Sequence, residues 1–298
     1  MKKRTKKVKN PDVKAGQIVL LEKCITYSLY VVVCLMPLWF LPFTKDILNY
    51  QKQTLLVIVG TIALIAWFLK VAREEVFQIR LHWMHVLVLL LLIASSIATA
   101  TSLWLYGSFW GWPGNISDSF LTILFFGIFY FLISNTVRDI KELFHLLFCF
   151  AGALAVAALY AMLQLYGVFV LPFSFAKFPT FNTVGSANSV AVIAAVLLPL
   201  AMAGAFSFTK KMRIFSWIFA AVFLATLLLM SFFTAWLVLV AGLVVFLTVA
   251  IWQGREMQEK GLISIPMALL IIALFFLFAK ISVPGAPHLP LEVFPSTS

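Results

Sequence analysis

Two stretches of this sequence gather residue types that could bind a ligand. The first reads Ser102-Leu103-Trp104-Leu105-Tyr106-Gly107-Ser108-Phe109-Trp110-Gly111-Trp112-Pro113-Gly114 and sets five aromatic side chains among three glycines without a charge. Flat ring faces on a glycine-rich backbone can stack on sugar rings, and Trp110 and Trp112 are the candidate sugar-binding residues. An aromatic belt at a membrane interface would use the same residue types. The second stretch runs from Lys177 through Thr183-Val184-Gly185-Ser186-Ala187-Asn188-Ser189. Gly185 lets the backbone turn. Ser186 or Asn188 can cap a following helix, whose N-terminal amides beside a lysine favour an anion. Lys177, Gly185, Ser186 and Asn188 are therefore the candidate residues for a phosphate group.

Other chemistry finds little support. The sequence has no Walker loop, no HExxH, no paired carboxylates and no Cys/His cluster. No metal site and no cofactor is expected, and no catalytic residue can be singled out. Cys24, Cys34 and Cys149 lie in or beside apolar runs and read as small core residues.

The elements that must position these stretches are membrane helices. Hydrophobic residues make up 63% of the 298 and charged residues 11%, against about 25% charge in a soluble domain. Mean hydropathy is +1.05. Nine apolar runs approach the length that crosses a hydrocarbon layer, at 25–43, 55–69, 83–98, 120–134, 143–166, 189–206, 214–232, 234–252 and 265–278. The expected fold is an all-α polytopic transmembrane helical bundle of about nine spans. Residues 1–23 form a basic cytoplasmic tail, 24–280 the bundle and 281–298 a segment on the outer side. The bilayer is the expected partner. The net charge of +11 marks no nucleic-acid partner, because of where the cations fall.

Of 22 Lys and Arg, 18 fall in the N-terminal tail and the even-numbered connections, and Lys45, Lys52, Lys177 and Lys280 fall on the other side. That bias places the N-terminus in the cytoplasm and the C-terminus outside. All nine Trp fall in connections or near run ends, as an aromatic belt requires. No run carries an ionisable residue in its middle third, which argues against proton pumps and ion-coupled carriers. Gln164 is the most polar deep residue, and His85 and His145 sit near cytoplasmic ends. Ala153, Ala157 and Ala161 recur every four residues, either as a close helix contact or as a lipid-facing stripe.

Three patterns carry a family resemblance. The Gly-Ser-x-x-Gly-x-x-Gly stretch from Gly107 to Gly114 is one. The second is Thr183 to Ala191 with Leu197-Leu198-Pro199-Leu200 in the run that follows. The hairpin start Ser231-Phe232-Phe233-Thr234-Ala235-Trp236-Leu237 is the third. Together they resemble the O-antigen ligase and O-antigen polymerase superfamily of polytopic membrane glycosyltransferases. The resemblance implies a protein of the bacterial inner (cytoplasmic) membrane that moves a lipid-linked oligosaccharide or polysaccharide from undecaprenyl diphosphate to an acceptor at the periplasmic face, without metal. The sequence departs from the family at Trp110 and Trp112, where an arginine often stands, and at Phe233 and Thr234, where Ser-Arg is common. The family's large periplasmic loop falls beyond Ser298, so the resemblance implies an incomplete or catalytically reduced chain. Two further readings remain: a transporter or flippase for a lipid-linked or amphiphilic substrate, and a non-catalytic scaffold or remnant.

Overall fold

The structure is a computed structural model, and it describes residues 11–43, 48–74, 82–112, 116–137, 139–178, 181–208, 210–252 and 261–279. Lys45, Lys280 and the segment 281–298 lie outside the described residues. In chain order the helices are α1 (Pro11–Leu35), α2 (Asn49–Val71), α3 (Trp83–Ala100), α4 (Leu105–Trp110), α5 (Phe120–Thr136), α6 (Ile140–Leu165), α7 (Ala187–Ser207), α8 (Lys210–Met230), α9 (Phe233–Trp252) and α10 (Gly261–Ala279). A two-residue ladder pairs β1 (Phe181–Asn182) with β2 (Gly185–Ser186). Seven helices are long and apolar enough to cross a membrane, and Phe120–Thr136 and Ile263–Phe278 are shorter apolar helices. That composition is the one a multi-pass membrane protein needs, since a helix satisfies its own backbone in hydrocarbon.

Local chemistry sets the helix ends. α1 begins at Pro11, inside the stretch assigned above to the basic tail, and stops at Leu35 rather than running to residue 43. Proline fits the first helical position because it has no amide to leave unpaired. The stop follows from Pro37, whose ring disfavours helical backbone at the residue before it. Ser119 caps α5, its Oγ accepting from the Thr122 amide at 3.4 Å. α7 continues through Pro199. α8 and α9 are joined by Ser231 and Phe232 alone. Ser231 sits at φ +46, and its Oγ donates to the Leu228 carbonyl at 3.0 Å, closing the end of α8.

The chain divides into two compact units between Cys149 and Phe150, within α6. In the first unit Ile25, Leu29 and Val32 of α1, Leu56 and Ala63 of α2, and Phe125, Phe129 and Leu132 of α5 share one core. These spacings of three, four and seven residues put each set on one helix face. At one edge of this core Lys70 Nζ is buried 2.7 Å from Glu22 Oε1 and 3.6 Å from Glu74 Oε1. His85 Nδ1 lies 2.9 Å from the Tyr130 hydroxyl, so this histidine joins α3 to α5.

In the second unit α7 is the central helix, packed on α8 and α9 through Ala191, Ala195, Leu198 and Met202. Phe223 and Leu227 of α8 and Leu239 and Leu243 of α9 complete the core. Trp236 is buried and stacks on Phe276 of α10 with ring centroids 4.7 Å apart, so it belongs to the core and not to an aromatic belt. Ala153, Ala157 and Ala161 are all buried, which decides between the two readings of that stripe. Close packing of small residues matters here, because lipid competes for every apolar surface.

The Lys70 pair gives a direct test of α1 against α2. Glu22→Leu leaves a buried ammonium with one more distant partner, and the expected cost is about 1–2 kcal/mol. Adding Lys70→Met removes the stranded charge and is expected to restore most of that loss. Thermal melting of the two variants in detergent reads the difference, and a double variant as unstable as Glu22→Leu contradicts the account.

Candidate functional site

The first candidate region is built in the first unit by the end of α3, by α4 and by the start of α5. Its anchor is Gln53, a buried side chain near the start of α2. Its Nε2 lies 3.0 Å from the Trp110 carbonyl, 2.9 Å from Ser119 Oγ and 3.1 Å from Thr122 Oγ1. Two protons serve three acceptors, so one of these bonds is shared. Thr122 Oγ1 in turn donates to the Ile116 carbonyl at 3.0 Å. The cluster ties the last residue of α4 and the first turn of α5 to α2. Buried and mutually satisfied, it fixes that corner more firmly than apolar contact would.

Above this corner lies a cavity of about 480 Å³. Trp104 and Trp112 line it, with ring centroids 6.4 Å apart and planes at 76°. Asp118 and the hydroxyl residues Ser95, Thr99, Ser102 and Ser108 also line it. Ser102 Oγ and Ser108 Oγ lie 2.6 Å apart, and Ser102 Oγ accepts from the Trp104 amide at 3.2 Å. Gly107 lies under the Trp104 ring: a methyl group there would overlap it. The volume falls in the range of small-molecule sites, about 300–1,000 Å³.

The two tryptophans chosen from sequence part company. Trp112 faces the cavity. Trp110 is not among its lining residues; its ring packs against Phe109 at 5.2 Å, while its carbonyl is held by Gln53. The second aromatic wall is Trp104. The difference arises because Leu105–Trp110 forms a short helix within the connection.

The second candidate region lies in the second unit, between α6 and α7. A 3-10 turn over Ser174–Lys177 precedes β1. Phe175 of this turn meets Phe181 of β1 edge-on at 5.3 Å. Gln164 Nε2 reaches from α6 to the Ala176 carbonyl at 3.0 Å and to the Tyr160 hydroxyl at 2.9 Å. Gln164 Oε1 is buried with no hydrogen-bond partner among the described residues. Asn182 is fully buried; its Nδ2 donates to the Ala157 carbonyl at 3.0 Å and its Oδ1 accepts from the Val184 amide at 2.9 Å. That second bond shapes the two-residue turn between β1 and β2.

Gly185 has φ +145, which a residue with a Cβ rarely adopts. Ser186 is the cap of α7: its Oγ accepts from the Ser189 amide at 3.2 Å. Asn188 lies in the first turn, half-buried, and does not cap. Gly185, Ser186 and Asn188 are thus brought to one corner. Lys177 is exposed at the end of the 3-10 turn, on the segment that packs on β1, and forms no ion pair among the described residues. The cap already takes the Ser189 amide, so an anion at this corner would rely on the other first-turn amides. Among the described residues no group of three or more His, Cys, Asp or Glu could hold a metal ion.

Sequence reasoning overlooked Gln53, Asn182 and Asp118. Gln53 carried a faint signal, an amide two residues before an apolar run, and Asn182 stood in the stretch singled out between Lys177 and Ser189. Asp118 carried none, being one acid in a connection.

The corner of α7 can be probed by stability. Ser186→Ala is expected to cost about 1 kcal/mol through the lost cap. Gly185→Val should cost more, since it forces a β-branched residue to a positive φ. Melting of both variants in detergent checks the order, and a Gly185→Val protein as stable as the parent contradicts the turn geometry. No family model, no curated protein and no solved structure matches this chain.

Proposed function

We propose that this chain is a multi-pass protein of a bacterial cytoplasmic membrane that binds a polyprenyl-diphosphate-linked glycan at the outer face and serves its transfer to an acceptor hydroxyl. Nine apolar runs support nine spans, and the cation bias of the connections supports an N-terminus in the cytoplasm and a C-terminus outside. The reading takes its class from the resemblance to O-antigen ligases and polymerases. The observation that carries it is the Trp104–Trp112 cavity, which lies in the connection bearing the Gly-Ser-x-x-Gly-x-x-Gly stretch. Aromatic walls with interleaved hydroxyls suit a saccharide better than an acyl chain, which would leave the polar groups unpaired.

Lys177 and the α7 corner around Gly185, Ser186 and Asn188 are the proposed diphosphate site. A lysine supplies a point charge without the planar fork of arginine, so the grip on two phosphates is weaker than an arginine pair would give. In the transfer the acceptor oxygen bonds to the anomeric carbon, the carbon–oxygen bond to the diphosphate breaks, and the acceptor proton leaves to solvent.

Purified protein with a lipid-linked donor tests this. Glycan transfer is expected, and Lys177→Ala should reduce it by about tenfold, the effect of one charge-assisted contact. Transfer unchanged in Lys177→Ala removes the phosphate site. Movement of the donor across sealed vesicles without covalent change replaces transfer by transport.

A further inference from the structure

We propose that the cavity at α3, α4 and α5 is a saccharide subsite that accepts neutral and amino sugars and rejects acidic ones, with Asp118 setting that choice. The inference rests on reading this connection as the glycan-facing one, but it concerns binding and not turnover. Three features of the cavity point the same way.

The first is shape. Trp104 and Trp112 stand at 76° with centroids 6.4 Å apart, forming a two-sided corner. A pyranose can lay its C–H face on one ring and its edge against the other. Both rings are about half exposed, so they are available to a ligand. Gly107 keeps the Trp104 ring down over α4, where any larger residue would push it away.

The second is hydrogen-bond inventory. Ser95 Oγ donates to the Leu91 carbonyl and so faces a ligand only as an acceptor. The Ser102–Ser108 pair spends one of its two protons internally and has one left to give. Asp118 adds acceptors alone. The lining side chains therefore carry both kinds of group: donors in the Thr99 hydroxyl, the serine pair and the indole N–H groups of Trp104 and Trp112, and acceptors in Ser95 and Asp118. Such a wall suits sugar hydroxyls, which both donate and accept.

The third is charge. Among the described residues Asp118 is the one charged residue lining the cavity, and no Lys, Arg or His lines it. A uronic acid would meet a like charge and find no cation, so the diphosphate of the donor belongs elsewhere too.

The test is ligand-observed NMR titration of the full-length protein in nanodiscs with three disaccharides: neutral diacetylchitobiose, the diamine chitobiose and a uronate-containing hyaluronan disaccharide. The first two are expected to bind at least about tenfold more tightly than the third. Asp118→Asn should bring the uronate within about threefold of the neutral sugar, while Trp112→Ala should weaken all three and Trp252→Ala none. Melting curves establish that each variant is folded. Equal or tighter uronate binding, discrimination unchanged in Asp118→Asn, or no sugar binding by the folded parent each overturns the proposal. Selective binding without transfer would overturn the function proposed above and leave this subsite standing; transfer by a protein that does not discriminate would do the reverse.

Discussion

A backbone amide or carbonyl in hydrocarbon must find its partner within the protein, and the whole structure follows from that requirement. It makes each apolar run a helix. It also governs the hydroxyls within those helices. Ser28, Thr61, Ser95, Ser96, Thr226 and Thr248 each donate to the carbonyl four residues back. Their polarity is closed on their own helix, so they can face lipid or a neighbour without stranding a proton. What is left for recognition is concentrated where helices end.

At those ends buried amides do the joining. Gln53 binds the end of α4 and the start of α5 to α2, and Asn182 and Gln164 bind the β1–β2 turn and the 3-10 turn to α6. In surroundings of low dielectric such bonds are strong when satisfied and costly when not. The connections that carry Trp112 and Lys177 are therefore held in place from beneath by single side chains. This is how a protein with few charges can still hold its connections in a fixed shape.

The helices were legible in the sequence because length and hydropathy report directly on a bilayer-sized layer. The stripe Ala153-Ala157-Ala161 was legible as a pattern but not as a burial, since small residues also face lipid. Ser186 and Asn188 both qualified as caps, and the choice of Ser186 depends on the turn set by Gly185. The start of α1 at Pro11 escaped notice because hydropathy falls in the basic tail while helical backbone does not need apolar side chains. Trp104 was passed over for Trp110 because six residues of helix change which ring faces the cavity. Trp236 obeyed the belt rule by position and broke it by packing on Phe276, a residue far along the chain. The division at Cys149 left no mark on composition, since it is a property of contacts.

The functional account combines a family resemblance, a cavity of tryptophan and hydroxyl groups, and a sidedness drawn from the lysines and arginines. Sidedness is the claim on which the other parts depend, because a lipid-linked glycan must meet both connections in the same compartment. The most direct measurement is labelling of single-cysteine variants, with Cys24, Cys34 and Cys149 replaced by alanine, in intact spheroplasts treated with a membrane-impermeant maleimide. The account predicts that Trp112→Cys and Lys177→Cys are labelled in intact cells and that Lys211→Cys is labelled only after lysis. Labelling of Lys211→Cys in intact cells, with Trp112→Cys and Lys177→Cys protected, would contradict it.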